Sequence, residues 1–253
     1  MQKVKTNIPN RTWCIKLKKL LETPFVINLA LFFAITSVFV TAFDFTKKDY
    51  QMANVVNGAY YFGNPDNGGV SLTFNVYQGT EEVYKILQIL QDLNATATFF
   101  VGGCWADDNS QVLKKILSDG HEIGSHGYYH KDHAKLSLDE NLNEIRYADT
   151  LITSLTGVKP TLFAPPSGSF SKSTITACEK LGYRVIMWTA DTIDWRDQDV
   201  NLIKSRAVKG LKAGNIILMH PTKSTTLALG DVINTIYQQG LKTLTVSENL
   251  QGL

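Results

Sequence analysis

Cysteine is nearly absent from this chain: three in 253 residues, at positions 14, 104 and 178, too few for a disulfide framework and without the spacing of a thiolate metal site. Charge is scarce too. Lys, Arg, Asp and Glu make up 19% of residues, and no block of like charge, low-complexity tract or short repeat interrupts the chain, which argues against disorder and against a solenoid. The formal charge of +2 belongs to the leader: six of the 25 basic residues (Lys3, Lys5, Arg11, Lys16, Lys18, Lys19) and one of the 23 acids (Glu22) precede residue 25, leaving 19 against 22, a net −3. No basic run suited to a phosphate backbone remains, so no nucleic acid partner is expected.

Charge is missing altogether from residues 25–43 (FVINLALFFAITSVFVTAF). An uncharged run of that length is enough to cross a bilayer as a helix, and the basic flank before it keeps the N-terminus in the cytoplasm. Two fates are open. The length of the run and of the basic leader favours a retained signal anchor, whereas Val40-Thr41-Ala42 offers a passable cleavage site for a signal peptide. Either way the remainder works outside the cytoplasm, held at the membrane or secreted after cleavage near Ala42. The expected organisation is a basic leader (1–24), the apolar segment (25–43), a polar linker (44–58) and one domain (59–253) large enough to bury a full core.

Within that domain, strand-like runs at 70–75, 96–102, 121–125, 161–164, 183–188, 214–219 and 242–246 alternate with helical patterns. The turn-rich Asn64-Pro65-Asp66-Asn67-Gly68-Gly69 predicts a hairpin joining 59–62 to 70–74. The longest helix has its start written in: Ser137 and Glu140 form a capping box, an apolar stripe runs through Leu138, Leu142, Ile145, Ala148, Ile152 and Leu155, and Gly157 stops it. Alternating strands and helices imply a parallel sheet, closed into a barrel or open, with function at the C-terminal ends of the strands.

Four groups of residues fall at such ends. In Gly124-Ser125-His126-Gly127-Tyr128-Tyr129-His130, two imidazoles four residues apart can converge on one cation, with Asp132 and His133 close behind. Phe163-Ala164-Pro165-Pro166-Ser167-Gly168-Ser169 reads as a rigid wall in which Pro166 and Ser167 face a ligand and Ser169 offers a further hydroxyl. Trp188-Thr189-Ala190-Asp191-Thr192-Ile193-Asp194-Trp195 brings two carboxylates beside indoles suited to stacking on sugar rings. His220 ends the apolar strand Ile216-Ile217-Leu218-Met219, and Asp191 is the candidate to fix its tautomer for acid catalysis.

Taken together and in order, SLTF, GSHGYYHKDHAKLS, FAPPSGSF, WTADTIDW and IILMHP resemble the polysaccharide deacetylases of the NodB-homology type, carbohydrate esterase family four, over about residues 68–250. A looser similarity is to the sporulation-associated members. The resemblance implies a distorted (β/α)7 barrel that removes N-acetyl groups from cell-wall glycan (peptidoglycan or chitin-like) with the help of a divalent metal, zinc in most cases. It assigns His126 and His130 to the metal, His220 to the general acid, Asp191 to the carboxylate that tunes it and Leu218 to the wall of the acetyl-methyl pocket. Trp195, Tyr128, Pro166 and Ser167 would line the glycan groove, with Tyr129 and Trp105 beside them. Three positions depart from the family pattern. Asn75 and Val76 stand where the family has its catalytic base and its metal-binding Asp, and Ala164 stands where it has the Arg paired with that base. Losing both partners of a buried ion pair is nearly neutral for folding, whereas losing one costs about 3–5 kcal/mol. Two readings therefore remain: a hydrolase with weakened chemistry, or a glycan-binding shell on the same fold.

Overall fold

The structure, a computed structural model, describes residues 24–253. The leader 1–23, with Cys14 and the basic cluster, lies outside the described residues, as do the side chains of residues 25–26 and 42–54. The chain divides into two units, Met1–Met52 and Ala53–Leu253. In the first, helix α1 (Pro24–Asn54) contains the uncharged run. Its described apolar side chains face outward, Phe39 being 72% exposed, and the hydroxyls of Thr36 and Thr41 bond back to Phe32 and Ser37 carbonyls one turn earlier. Among the described residues, no helix is long and apolar enough to cross a membrane.

The second unit opens on a hairpin of β1 (Val55–Val56) and β2 (Ala59–Tyr60), an antiparallel pair turned at Asn57 (φ 52°) and Gly58 (φ 83°). Asn-Gly is a strong hairpin signal because both residues tolerate positive φ. The sequence expectation placed the hairpin one turn later, around residues 64–69, and that is corrected here. Asn64 uses its side chain to accept from the Asp66 amide, and its own amide donates to the Asn249 carbonyl. The segment becomes a 3-10 turn tied to the C-terminus, and the strands on its two sides never pair.

The repeating unit then runs through β3 (Gly69–Val76), α2 (Thr80–Asp92), β4 (Thr98–Val101), α3 (Gly103–Asp108), α4 (Ser110–Ser118), β5 (Glu122–Ser125), α5 (Leu138–Thr156), β6 (Leu162–Phe163), α6 (Lys172–Leu181), β7 (Arg184–Ile186), β8 (Ala190–Asp191), α7 (Val200–Ala207), β9 (Ile216–Met219), α8 (Lys223–Gln238), β10 (Lys242–Thr243) and α9 (Val246–Asn249). The sheet order is β1-β2-β7-β6-β5-β4-β3-β9-β8, parallel throughout except for the hairpin, with β10 also beside β3. β7, third from one end of that order, and β8, at the other end, belong to the same run of chain, residues 184–191, which pairs with β6 at Val185 and with β9 at Ala190 and Asp191. One run of chain thus curls the sheet back on itself, an α/β fold consistent with the barrel that the family resemblance implied. Helix α5 has the expected capping box at Ser137 and Glu140 and ends at Gly157 in the left-handed conformation.

Side-chain alternation along the strands separates two interiors. Val70, Leu72, Phe74 and Val76 of β3 join Phe99, Val101, Ile217 and Met219 in the core shared with α2 and α8. Their neighbours point the other way: Ser71, Thr73 and Asn75, in register with Phe100, Ile216 and Leu218. The N-terminal end of that inner space is plugged by α9, whose Val246 and Leu250 pack on Phe100, Leu162 and Ile216. The Val246 amide donates to the Thr98 hydroxyl, 2.8 Å, and seats the plug. At the C-terminal end of the strands a cavity opens.

His121 sits just before β5 with both ring nitrogens unpartnered and its ring 5.6 Å from that of Phe99. Burial holds its pKa below the ordinary 6.5 against the opposing pull of Asp119, with Lys115 adding a smaller downward push. The folded protein therefore takes up the His121 proton at lower pH than the unfolded chain does, and stability declines as pH falls below 6.5. Urea-denaturation midpoints measured from about pH 7.5 to about pH 5 should fall for the wild type and fall less for His121→Leu, the linkage slope dropping by as much as one proton. Equal slopes would contradict this.

Candidate active site

At the open end lies a cavity of about 540 Å³ lined by Asn75, Tyr77, Gln78, His126, His130, Ser167, Gly168, Trp188, Asp191, Trp195, Gln198, Leu218, His220, Pro221 and Thr222. The separate strand-end motifs therefore meet in one place. His126 and His130, on one loop, share its wall with His220, which lies far along the chain on another strand end.

His126 follows β5 and is 2% exposed. Its Nδ1 lies 2.7 Å from the Ala164 carbonyl, an atom that only accepts, so Nδ1 carries the proton and Nε2 presents a lone pair. Burial foremost, with the charges of His130 and His220 adding to it, drives its pKa down to about 3 against the opposing Ala164 bond. His130, with φ 55° and its ring 5.0 Å from that of His126, is likewise lowered by burial. Both are neutral nitrogen donors at ordinary pH.

The loop between them is pinned from α5 by two polar residues on its buried face. Glu144, 2% exposed, accepts from the Tyr128 and Tyr129 amides at 3.1 and 2.9 Å and pairs with Lys131 at 3.1 Å. Asn141 receives His133 Nδ1 at 2.7 Å and donates to the carbonyls of His133, Leu136 and Ser137. His133 is thus a fully buried anchor beside Phe163, outside the cavity lining, and not a third metal ligand. Asp132 is also engaged, accepting from Ser169 at 2.5 Å and from Lys135 at 2.9 Å.

His220 is held differently from the sequence expectation. Its Nδ1 donates to Asp194 Oδ1 at 2.7 Å, and its backbone amide donates to Asp194 Oδ2 at 2.7 Å. Thr225 adds a third donor to Oδ2 at 2.5 Å. Asp194 is fully buried, and three donors satisfy its charge. Asp191, assigned this role from sequence, instead accepts from the Ile193 amide at 2.8 Å and faces the cavity. That bond closes a turn in which Ile193 takes φ 54°, an unfavourable conformation for a β-branched residue, and the turn swings Asp194 inward under His220.

Two other assignments change. Tyr128, Tyr129 and Trp105 do not line the cavity; Trp105 is 5% exposed and donates to the Thr80 hydroxyl. Pro166 is buried behind the wall, whereas Ser167 and Trp195 do line it, Trp195 being 59% exposed. Trp188, one of the two indoles expected to stack on sugar, does line the cavity, whereas sequence reasoning missed Tyr77, Gln78 and Gln198 in the lining, and Asn141 and Glu144 behind it. The last two carried a signal: each stands one step before a residue of the apolar stripe of α5, where a surface-facing polar residue is not expected. Cys104 and Cys178 are both free.

A zinc centre of the Asp-His-His kind does not fit this donor set. Asn75 reaches the cavity, 5% exposed, with a buried Oδ1 that has no partner, but an amide oxygen carries no charge. Val76 lies at 0% exposure in the core between sheet and helices. Among the described residues, no group of three His, Cys, Asp or Glu side chains is placed to hold a metal ion. What the cavity holds is a carboxylate-fixed imidazole, two neutral imidazoles, the Asp191 carboxylate turned onto the Ile193 amide, an apolar wall at Leu218 and several aromatic rings.

The model for polysaccharide deacetylases matches residues 62–186. An uncharacterized Bacillus subtilis protein, YlxY, is 41% identical over 74% of this chain, which spans only 59% of that relative's length. A peptidoglycan-N-acetylglucosamine deacetylase of Bacillus cereus is 31% identical over 72% of this chain and 88% of its own. Among solved structures, a carbohydrate esterase family four pseudoenzyme from Bacillus anthracis superposes with a TM-score of 0.75 at 36% identity, covering 78% of this chain and 70% of that one.

The two carboxylates are separable by mutation. Asp194→Ala leaves three donors without an acceptor and should lower the unfolding free energy by about 3 kcal/mol, while Asp191→Ala, losing one turn bond, should cost about 1 kcal/mol. Urea denaturation measures both, and the Nδ1 proton signal of His220 should disappear only in the Asp194 variant. The reverse order would contradict the assignment.

Proposed function

The chain belongs to the polysaccharide deacetylase family, and we propose that its cleft takes an N-acetylated cell-wall glycan, retaining the acid half of deacetylation chemistry while the half that activates water is reduced. The observation that carries this reading is His220, fixed from behind by buried Asp194, facing the same cavity as Leu218 and Asn75. Cleaving an acetamide requires a proton on the departing nitrogen. An imidazole whose Nδ1–H is fixed by a buried carboxylate presents Nε2 to deliver that proton, and the pair stabilises the charged ring. Leu218 offers an apolar surface for the acetyl methyl, while Trp195 and Trp188 suit the C–H faces of sugar rings.

The opposite half is where the site is poor. Asn75 takes up no proton near neutral pH, and Val76 offers no ligand. A divalent ion, when bound, supplies Lewis acidity and a more acidic water; here only His126 and His130 would hold it. Turnover is accordingly slow. A second reading, a glycan-binding protein without turnover, is favoured by the burial of Val76 and by the similarity to a pseudoenzyme. Acetate release from N-acetylchito-oligosaccharides and from peptide-free peptidoglycan tests the choice. The weak hydrolase predicts slow release that falls about tenfold or more in His220→Ala. No release above that variant, with glycan binding unchanged in EDTA, supports the binding protein; no binding at all contradicts both.

The same reading sets the cleft outside the cytoplasm, exported or held there by residues 25–43. The basic leader and the outward-facing apolar side chains of α1 support it. The full-length chain should remain with washed membranes, and a shortened chain in the soluble fraction would point to cleavage instead.

A further inference from the structure

The tyrosines of the Gly-Tyr-Tyr-His loop are left over by the cleft, yet they are not ordinary core residues. Tyr77, 40% exposed, sits in the cavity wall with its ring 4.8 Å from that of His130. It lies flat on Gly102, where a methyl group would come within 2.6 Å of its Cδ2. The next residue, Gly103, is covered in the same way by Tyr128, whose ring any side chain at that position would overlap. Two consecutive glycines thus carry two aromatic rings on one dipeptide, the first inside the cleft and the second outside it. Beyond Tyr128 the surface continues with Tyr129 and Tyr147, packed edge-on against it at 4.6 and 6.0 Å and exposed by 52% and 53%.

We propose that these tyrosines form an outer binding track continuous with the cleft, and that the ligand is a long neutral glycan chain whose rings leave the cleft over Tyr77 and stack on Tyr129 and Tyr147. The inference rests on the glycan reading of the cleft and extends it to the length of the substrate. Three facts favour this occupant. The loop is rigid, its amides held by Glu144 and its Tyr128 carbonyl by the Cys104 amide at 3.1 Å, so exposed rings are presented without an ordering cost. Tyrosine combines an apolar face for sugar C–H groups with a hydroxyl for their polar rim. Lys131, 5.3 Å from the Tyr129 ring, is already paired with Glu144, which reduces what this end of the track offers to a polyanion.

Calorimetry of the full-length chain in mild detergent with N-acetylchito-oligosaccharides of two and six sugars is the test. The six-sugar ligand should bind about tenfold more tightly than the two-sugar one, each stacked ring contributing a few-fold. Tyr129→Ala/Tyr147→Ala should remove most of that gain while leaving two-sugar affinity unchanged. Both side chains are more than half exposed, so the fold should survive, and a thermal melt verifies this. An intact gain in the double variant, or equal affinity for both lengths in the wild type, overturns the track and leaves the cleft reading standing. Absence of binding at either length overturns the cleft reading and the track with it.

Discussion

Side-chain alternation along β3 is the constraint on which the site depends. A strand has one residue per face per step, so Val70, Leu72, Phe74 and Val76 are committed to the helix-facing core, and Ser71, Thr73 and Asn75 to the barrel interior. Each buried apolar side chain is worth about 1.5–3 kcal/mol, and shifting the register by one would expose the whole row. Hence the strand delivers one cavity-facing group at its end, Asn75. The chemistry available opposite His220 follows from that single side chain.

The other half of the cleft is built with more redundancy. Asp194 satisfies its buried charge with three donors, and Glu144 does the same for the loop that bears His126 and His130. A buried carboxylate left unpaired would cost several kcal/mol, and each of these two is met by three donors. The result is an asymmetric cleft: an acid poised with a fixed tautomer on one side, and on the other a set of neutral groups with lone pairs and no negative charge.

Much of this was legible in the sequence. Apolar runs located the strands, the Ser137–Glu140 box and Gly157 bounded α5, and the strand-end rule brought His126, His130, Leu218 and His220 to one cavity. Local pattern failed where a contact between distant segments decided the outcome. Asp191 and Asp194 are both near His220 in motif terms; a positive-φ turn at Ile193, which no propensity favours, chooses between them. The 64–69 turn looked like a hairpin because its residues suit one, but its hydrogen bonds go to the C-terminus. Tyr128 looked like a groove residue because aromatics often are, yet the glycine beneath it carries it outside the cavity.

Zinc titration of the purified full-length chain against a competing chelator dye tests the central claim most directly, since it reads the donor set and not turnover. With two neutral imidazoles and an amide, the wild type should hold zinc no more tightly than about 1 µM, and His126→Ala should change little in that range. Stoichiometric uptake of about one zinc per chain, well below that concentration and lost in His126→Ala, would contradict the account: Asp191, the carboxylate that faces the cleft, would then have to leave the Ile193 amide and complete the site.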